Sequence, residues 1–251
     1  MNCCPGVEMD QDPTGNRLLA ALAPEDRERI FPHLQLVHLT QGKVLYASGD
    51  TLRYVYFPTG CVVSLLYLLD DGGSAELSAV GNEGLVGIAL FMGDTTTRNH
   101  AIVRSTGSAY RLTGQRLRDE FQQHASIQRL FLRYTQARIT QLAQTVVCNR
   151  HHSVDQQLCR WLLLSLDRLS SNKLTMTHER IAGMLGVRRE GISEAAGKLQ
   201  KLKAIRYSRG QITVLDRPML EKLSCECYAV VKKETDRLLH FAPPRTGAAT
   251  P

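Results

Sequence analysis

Between about residue 34 and residue 112 the chain is a series of short apolar runs: HLQLVHL, KVLYASGD, YVYFPTG, CVVSLLYLLDDGG, AELSAVGNEG, VGIALFMGD, HAIVRSTG and SAYRL. They recur every ~8–12 residues with turn-forming residues between them, the spacing of an antiparallel sandwich or small barrel. DDGG at 70–73 predicts a tight hairpin turn. Upstream, LAPEDRERIFPHL (22–34) reads as a short helix, with Pro24 near its start and Pro32 ending it. Residues 1–16 are polar with Pro and Gly and are expected to be a loose tail.

After Tyr110 the period lengthens. GQRLRDEFQQH (114–124) predicts a short helix and SIQRLFLRYTQARITQLAQTVV (126–147) a longer one. In the longer helix Ile127, Leu130, Phe131, Tyr134, Ala137 or Arg138, Leu142 and Val146 form a near-heptad stripe. A helix of this length spans about 33 Å, more than is needed to cover a small barrel. The stripe therefore predicts a two-helix dimer seam carried by Ile127, Leu130, Phe131, Tyr134 and Leu142. Packing against its own domain is the alternative. SVDQQLCRWLLLSLDRL (153–169) opens a second domain as a strongly apolar helix. It is followed by a helix pair, a short hairpin over IRYSRGQITVL (205–215) and a last helix over 217–239. The resulting division is a tail over 1–16, a barrel over 17–124, a dimerisation helix over 125–150, a second domain over 151–240 and a tail over 241–251. No run approaches the length of a membrane-spanning helix, and no basic leader precedes an apolar stretch. A cytoplasmic chain with no membrane partner is expected.

Charge sharpens this division. Residues 1–170 hold 16 Lys and Arg against 16 Asp and Glu, whereas residues 171–251 hold 15 against 8. The net charge of +7 thus resides in the last third, which suits a polyanionic partner. The helix pair there is THERIAGMLGVRREGISEAAGKLQKLKAI (177–205). Thr177 is a good N-cap. Ile181 and Leu185 face inward, and Gly186 marks the turn. In the second helix Ile192, Ala195 or Ala196, Leu199 and Leu202 form the buried stripe. The opposite face presents Arg189, Glu190, Ser193, Glu194 and Gly197, bordered by Arg188 and Lys198. Two short helices around a glycine turn describe a helix-turn-helix. The hairpin after it supplies a wing, with Arg206 and Arg209 placed to meet phosphates.

The helix pair and the wing RYSRGQITVLD resemble the DNA-binding domain of the Crp/Fnr transcription regulators. The resemblance extends over roughly residues 30 to 225. GKVLYASGD is similar to an early barrel strand of that family and EGLVGIALFMGD to its central glycine-rich turn. It implies an α+β chain: an N-terminal double-stranded β-helix (a jelly-roll-like barrel) acting as sensor, a long dimerisation helix and a C-terminal winged helix-turn-helix. It also implies a homodimer that binds a near-palindromic stretch of double-stranded DNA, with RNA polymerase as a further partner and no enzymatic activity. Arg189 and Glu190 fall on the family's base-reading positions and Arg188 on a backbone-contacting one. Arginine can pair bidentately with guanine, and a carboxylate can accept from cytosine. Glu194 departs from the arginine of the best-studied members. It either reads a base or pairs with Lys198 four residues on. Gly191 and Gly197 lower helix stability by about 1 kcal/mol each relative to alanine. They suit a helix lying close to another backbone, whether DNA or its own domain.

The sensor lacks the family's cyclic-nucleotide motif. Gly87 is followed by Ile88 where a ribose-binding acid would stand, and Arg98 by Asn99 and His100. Cyclic AMP is therefore not expected as effector. Gly87, Arg98, Asn99 and His100 either line a pocket for another ligand or form an exposed loop. A cyclic-nucleotide-responsive regulatory subunit acting on a protein partner is the alternative function, although it would need the phosphate motif and not the wing. The seven cysteines are irregularly spaced. Cys3 and Cys4 are adjacent and unlike the spaced thiolates that hold a cluster in some relatives, so an iron–sulfur cluster is not expected. Cys225 and Cys227, two apart on a helix, should point to different faces and make poor joint ligands. His151 and His152 read as a polar hinge or a pH- or metal-sensitive switch. No metal site is expected.

Overall fold

The structure is a computed structural model and describes residues 12–69, 73–169 and 171–239. Its first domain opens with helices α1 (Arg17–Ala20) and α2 (Pro24–Ile30), followed by a single 3-10 turn over Phe31–His33. Seven strands then build two facing sheets: β1 (Gln35–Leu39), β2 (Val44–Tyr46), β3 (Tyr54–Pro58), β4 (Val62–Leu68), β5 (Ser74–Val80), β6 (His100–Ser105) and β7 (Gly107–Thr113). One sheet has the order β1-β7-β3 and the other β2-β6-β4-β5, with every pair antiparallel. The arrangement is jelly-roll-like, with two open sheets rather than a closed barrel. The period-two alternation of β3 puts Val55 and Phe57 inside, opposite Leu112 and Tyr110 of β7. Val63 of β4 fills the other side, between Val80 and Val103. VGIALFMGD, an apolar run like the others, forms no strand. Gly87 adopts φ 105° and turns the chain into a 3-10 helix over Ile88–Phe91. Of the DDGG turn, residues 70–72 lie outside the described residues; Leu68 and Ser74 pair on either side of it.

The expected loose tail over 1–16 needs correction for residues 12–16. Asn16 is fully buried; its amide donates to Pro58 O and Gly84 O at 2.8 Å, and its carbonyl oxygen accepts from Leu18 N and Leu19 N. One side chain thus caps α1 and ties it to the sheets. Residues 1–11 and 240–251 lie outside the described residues.

Helix α3 (Gly114–Gln123) leads into α4 (Ala125–His151), which is 27 residues long. The proposed seam along α4 is divided by the fold. Ile127, Leu130, Phe131 and Tyr134 are buried in the core of their own domain. Phe131 packs 5.3 Å from the Phe91 ring, and the Tyr134 hydroxyl accepts from Leu85 N and donates to Leu85 O. Gly84 leaves room for that ring: a Cβ there would stand 2.3 Å from it. The face that stays open carries Leu132, Ile139, Leu142, Val146 and Val147. The sheets cover only the first half of α4, and the inward residues there belong to their core rather than to a seam.

The second domain comprises α5 (Val154–Leu166), β8 (Lys173–Thr175), α6 (His178–Leu185), α7 (Arg189–Lys201), β9 (Ile205–Ser208), β10 (Gln211–Val214), α8 (Arg217–Leu223) and α9 (Glu226–Leu239). Its core joins Leu158, Trp161, Leu162 and Leu163 of α5 to Ile181 and Leu185 of α6 and Ile192 and Leu199 of α7. The single helix expected over 217–239 is two helices. Ser224 is extended (φ −73°, ψ 159°), and α9 then turns back to pack along α4. The junction between α4 and α5 is short. His152 is extended, and Ser153 starts α5 with a capping box to Gln156.

The two domains meet through α6 on β5, through one buried charge pair and through the contacts of Arg104. Arg168, just beyond α5, donates to Glu83 at 2.7 Å, and the pair is buried. Arg104 lies 3.5 Å from Glu76, donates to Ser165 at 3.1 Å and stacks over Trp161.

Candidate nucleic-acid interface

In α6 the Thr177 hydroxyl caps Arg180 N at 3.3 Å. Ile181, Ala182 and Leu185, one face at helical spacing, are buried. Gly186 ends the helix in the left-handed conformation (φ 66°, ψ 34°), which glycine adopts without a Cβ clash. After the turn, α7 buries Ile192, Ala195, Ala196 and Leu199, so its remaining face is determined by the 3.6-residue period. Leu202, expected to complete the buried stripe, is half exposed past the end of α7.

Arg188, Arg189, Glu190, Ser193, Glu194 and Lys198 are all exposed on that face, and Thr177, Arg206 and Arg209 flank it, also exposed. All nine sequence-selected residues are thus solvent-exposed. They are not equally free. Lys198 lies 3.0 Å from Glu194 and 3.0 Å from Asp155 of α5, and those two carboxylates raise its pKa. Arg189 approaches Glu179 only at 4.0 Å. Ser193 is held by His178 Nδ1 at 2.9 Å and donates back to Arg189 O.

His178 is a residue that sequence patterning missed. Its ring stacks on Tyr207 of β9 at 4.2 Å, joining the start of α6, the middle of α7 and the wing. Burial lowers its pKa, and Arg189 adds to that, favouring the neutral ring. A histidine just after an N-cap threonine carries no periodic signal, so only the packing reveals it. The wing is a two-residue hairpin in which Ser208 pairs with Gln211. Arg209 (φ 49°) and Gly210 (φ 75°) both take the left-handed region, as a type I′ turn requires, and the turn projects the Arg209 side chain. Gly191 and Gly197 do not lie tightly against their own domain. A Cβ on Gly191 would make ordinary contact with Val154, and one on Gly197 would meet nothing within 4 Å.

In the first domain the four effector candidates have different surroundings. Gly87 is buried beneath Tyr54 and Val55, Arg98 is exposed, and Asn99 accepts from Thr97 Oγ1. His100 begins β6 with a buried Nδ1 that has no hydrogen-bond partner. A cavity on this domain is lined instead by Tyr46, Asp50, Arg53, Tyr54 and Tyr56, and includes none of the four. No helix among the described residues is long and apolar enough to cross a membrane.

Comparison with known proteins agrees with this geometry. Residues 156–223 match the family model of the Crp-like helix-turn-helix domain. The chain is 22% identical over 216 residues to a global nitrogen regulator of Synechocystis, covering 82% of this chain and 95% of the relative. Its fold is similar to that of a structure assigned to the Crp/Fnr family from Eubacterium rectale. That match has a TM-score of 0.65 and 19% identity and covers 84% of this chain and 98% of the other. It is also similar to FixK2 from Bradyrhizobium japonicum, with a TM-score of 0.63 and 17% identity, covering 76% of this chain and 98% of that one.

Proposed function

We propose that this chain, a transcription regulator of the Crp/Fnr type, acts as a homodimer that inserts two copies of α7 into successive major grooves of a near-palindromic DNA site. The observation that carries the reading is the open face of α7 beside the wing. Arg188, Arg189, Glu190, Arg206 and Arg209 are all exposed there, in the basic third of the chain. Arg189 and Glu190 read adjacent base pairs, Arg188 contacts the backbone, and Arg206 and Arg209 hold phosphates of the flanking groove. Lys198 and Glu194 neutralise each other locally, so the pair positions the helix more than it binds DNA. Residues 17–124 act as the sensor, 125–150 as the dimer helix and 151–240 as the DNA-binding domain, with the seam of α4 on Leu132, Ile139, Leu142 and Val146. In a dimer the recognition helices stand about 34 Å apart. The protein works in the cytoplasm and contacts RNA polymerase from its DNA site. We assign it no catalytic step.

Footprinting of the purified protein on its own upstream DNA tests the reading. The expected result is protection of two half-sites one helical turn apart, with affinity falling steeply as salt rises. Absence of sequence-specific protection under every condition overturns it. Arg189→Ala should lose about 1–3 kcal/mol of discrimination at one base pair per half-site. Uniform weakening across all sequences would instead make Arg189 a phosphate contact.

A further inference from the structure

The break between α8 and α9 has a chemical consequence at the far end of α4. Cys148, in the last turn of α4, and His152, just beyond it, stand one helical turn apart. Cys225 lies in the break and Cys227 in the first turn of α9. Were 217–239 one continuous helix, Cys225 and Cys227 would diverge. The extended Ser224 lets both thiols turn toward α4. The three sulfur atoms and one imidazole nitrogen all lie within 4.8 Å of one another. Cys148 Sγ is 3.6 Å from Cys225 Sγ, and Cys227 Sγ is 3.6 Å from His152 Nδ1.

We propose that Cys148, His152, Cys225 and Cys227 form a binding site for one soft divalent metal ion, zinc by its chemistry. Zinc bonds of about 2.3 Å to sulfur and about 2.0–2.1 Å to nitrogen, set tetrahedrally, place neighbouring sulfurs ~3.8 Å apart and sulfur and nitrogen ~3.6 Å apart. The two separations above have that size. Three thiolates with one imidazole is a common zinc donor set, and thiolate softness selects against magnesium or calcium. Donors crowded this closely enclose a single ion. A cluster with bridging sulfides would hold its thiolates further apart.

The surroundings suit an occupied site. The far ring nitrogen of His152, Nε2, faces Glu226 Oε1 at 3.3 Å, the carboxylate–histidine arrangement that fixes a ligating imidazole. Gln157 donates to His152 O at 2.9 Å and holds the residue in place. Three thiolates around a divalent ion leave one net negative charge. Buried Arg160 lies within electrostatic reach of Cys148 and Cys227, and its Nε has no hydrogen-bond partner. Cys148, Cys225 and Cys227 form a small buried cluster of their own, apart from the two domain cores. Buried cysteines can pack as small apolar residues. That role leaves unexplained why an imidazole nitrogen enters a cluster made of nothing else. An ion here joins the end of α4, the start of α5 and the start of α9, and so clamps the junction between the domains.

The test is metal analysis of the full-length protein, purified with reductant and without chelator or added metal. About one zinc per chain is expected. Cobalt added to the metal-free protein should give the ligand-field and thiolate charge-transfer absorption of a tetrahedral site. Cys225→Ser and Cys227→Ser should lose the zinc and weaken that absorption, while Cys61→Ser and Cys159→Ser retain both. Glu226→Gln should weaken zinc affinity about 10–100-fold without removing the site. The wild-type cobalt spectrum keeps the proposal testable if a serine variant fails to fold. Protein without zinc and without thiolate–cobalt absorption overturns the proposal. So does iron with acid-labile sulfide, or zinc that survives loss of both Cys225 and Cys227. None of these outcomes depends on whether the protein binds DNA.

Discussion

Arg188 and Glu190 differ from Glu194 and Lys198 in what already occupies them. Lys198 is held between Glu194 and Asp155, whereas Arg188 and Glu190 are exposed with no ion-pair partner among the described residues. The helical period made the open face of α7 readable from the sequence, because alternation of apolar and polar positions determines which side is buried. The engagement of Lys198 by Asp155, 43 residues away, carries no local signal. Glycine can be settled in the same way. Gly197 sits inside α7 with open space where a Cβ would go. Gly197→Ala should therefore stabilise the free protein by up to about 1 kcal/mol in denaturant unfolding. If DNA approaches α7 closely at that point, the same variant should bind its site more weakly. Unchanged affinity would mean that the glycine marks no close contact, and unchanged stability that the helix gains nothing from alanine there.

At the scale of elements, α4 serves two surfaces. Its heptad-like stripe was visible in sequence, but the same spacing suits a seam and a core. The sheets claim Ile127, Leu130, Phe131 and Tyr134, leaving Leu132, Ile139 and Val146, seven apart, exposed. Two substitutions separate the roles. Ile127→Ala should destabilise the fold by about 2–5 kcal/mol, as a truncated core residue does, and leave the association state unchanged. Ile139→Asp should leave the unfolding midpoint of the chain nearly unchanged and shift the protein from dimer to monomer in sedimentation. A dimer that survives Ile139→Asp would place the seam elsewhere. The break between α8 and α9 was not legible, because KLSCECYAV keeps an apolar texture through the turn. The interruption comes from α9 finding α4, a contact between residues far apart in the chain.

For the whole molecule, the position of the second domain against the first rests on the Arg168–Glu83 pair and on Arg104, which reaches Ser165 and Trp161. Burial alone would raise the Glu83 carboxyl, but Arg168 and Arg138 outweigh it and hold the group below its ordinary value. The pair's contribution is therefore complete above the ordinary carboxylate value of 4.5 and is lost as pH falls through the depressed one. Trp161, the single tryptophan, lies at this junction beneath Arg104. Its fluorescence should report undocking in acid, below about pH 4.5. Glu83→Gln should remove that step and destabilise the docked arrangement by about 3–5 kcal/mol, because Arg168 is left buried without its partner. An identical acid transition in the variant would assign the step to other carboxylates. Gly81 belongs to the same junction, since a Cβ there would stand 2.6 Å from Arg168 Cβ.

The sequence by itself determined the order of domains, the helix-turn-helix with its wing, the outward face of α7 and the basic character of the last third. Each of these follows from local period, turn chemistry or summed charge, and such signals survive without knowledge of the fold. Tertiary structure alone decided that the strands form two open sheets and which half of α4 stays exposed. It also decided how Glu83 meets Arg168 and how His178 reaches Tyr207. It gathered Cys148, His152, Cys225 and Cys227 at one point. These are encounters between segments distant in the chain, and local patterning contains no term that couples them.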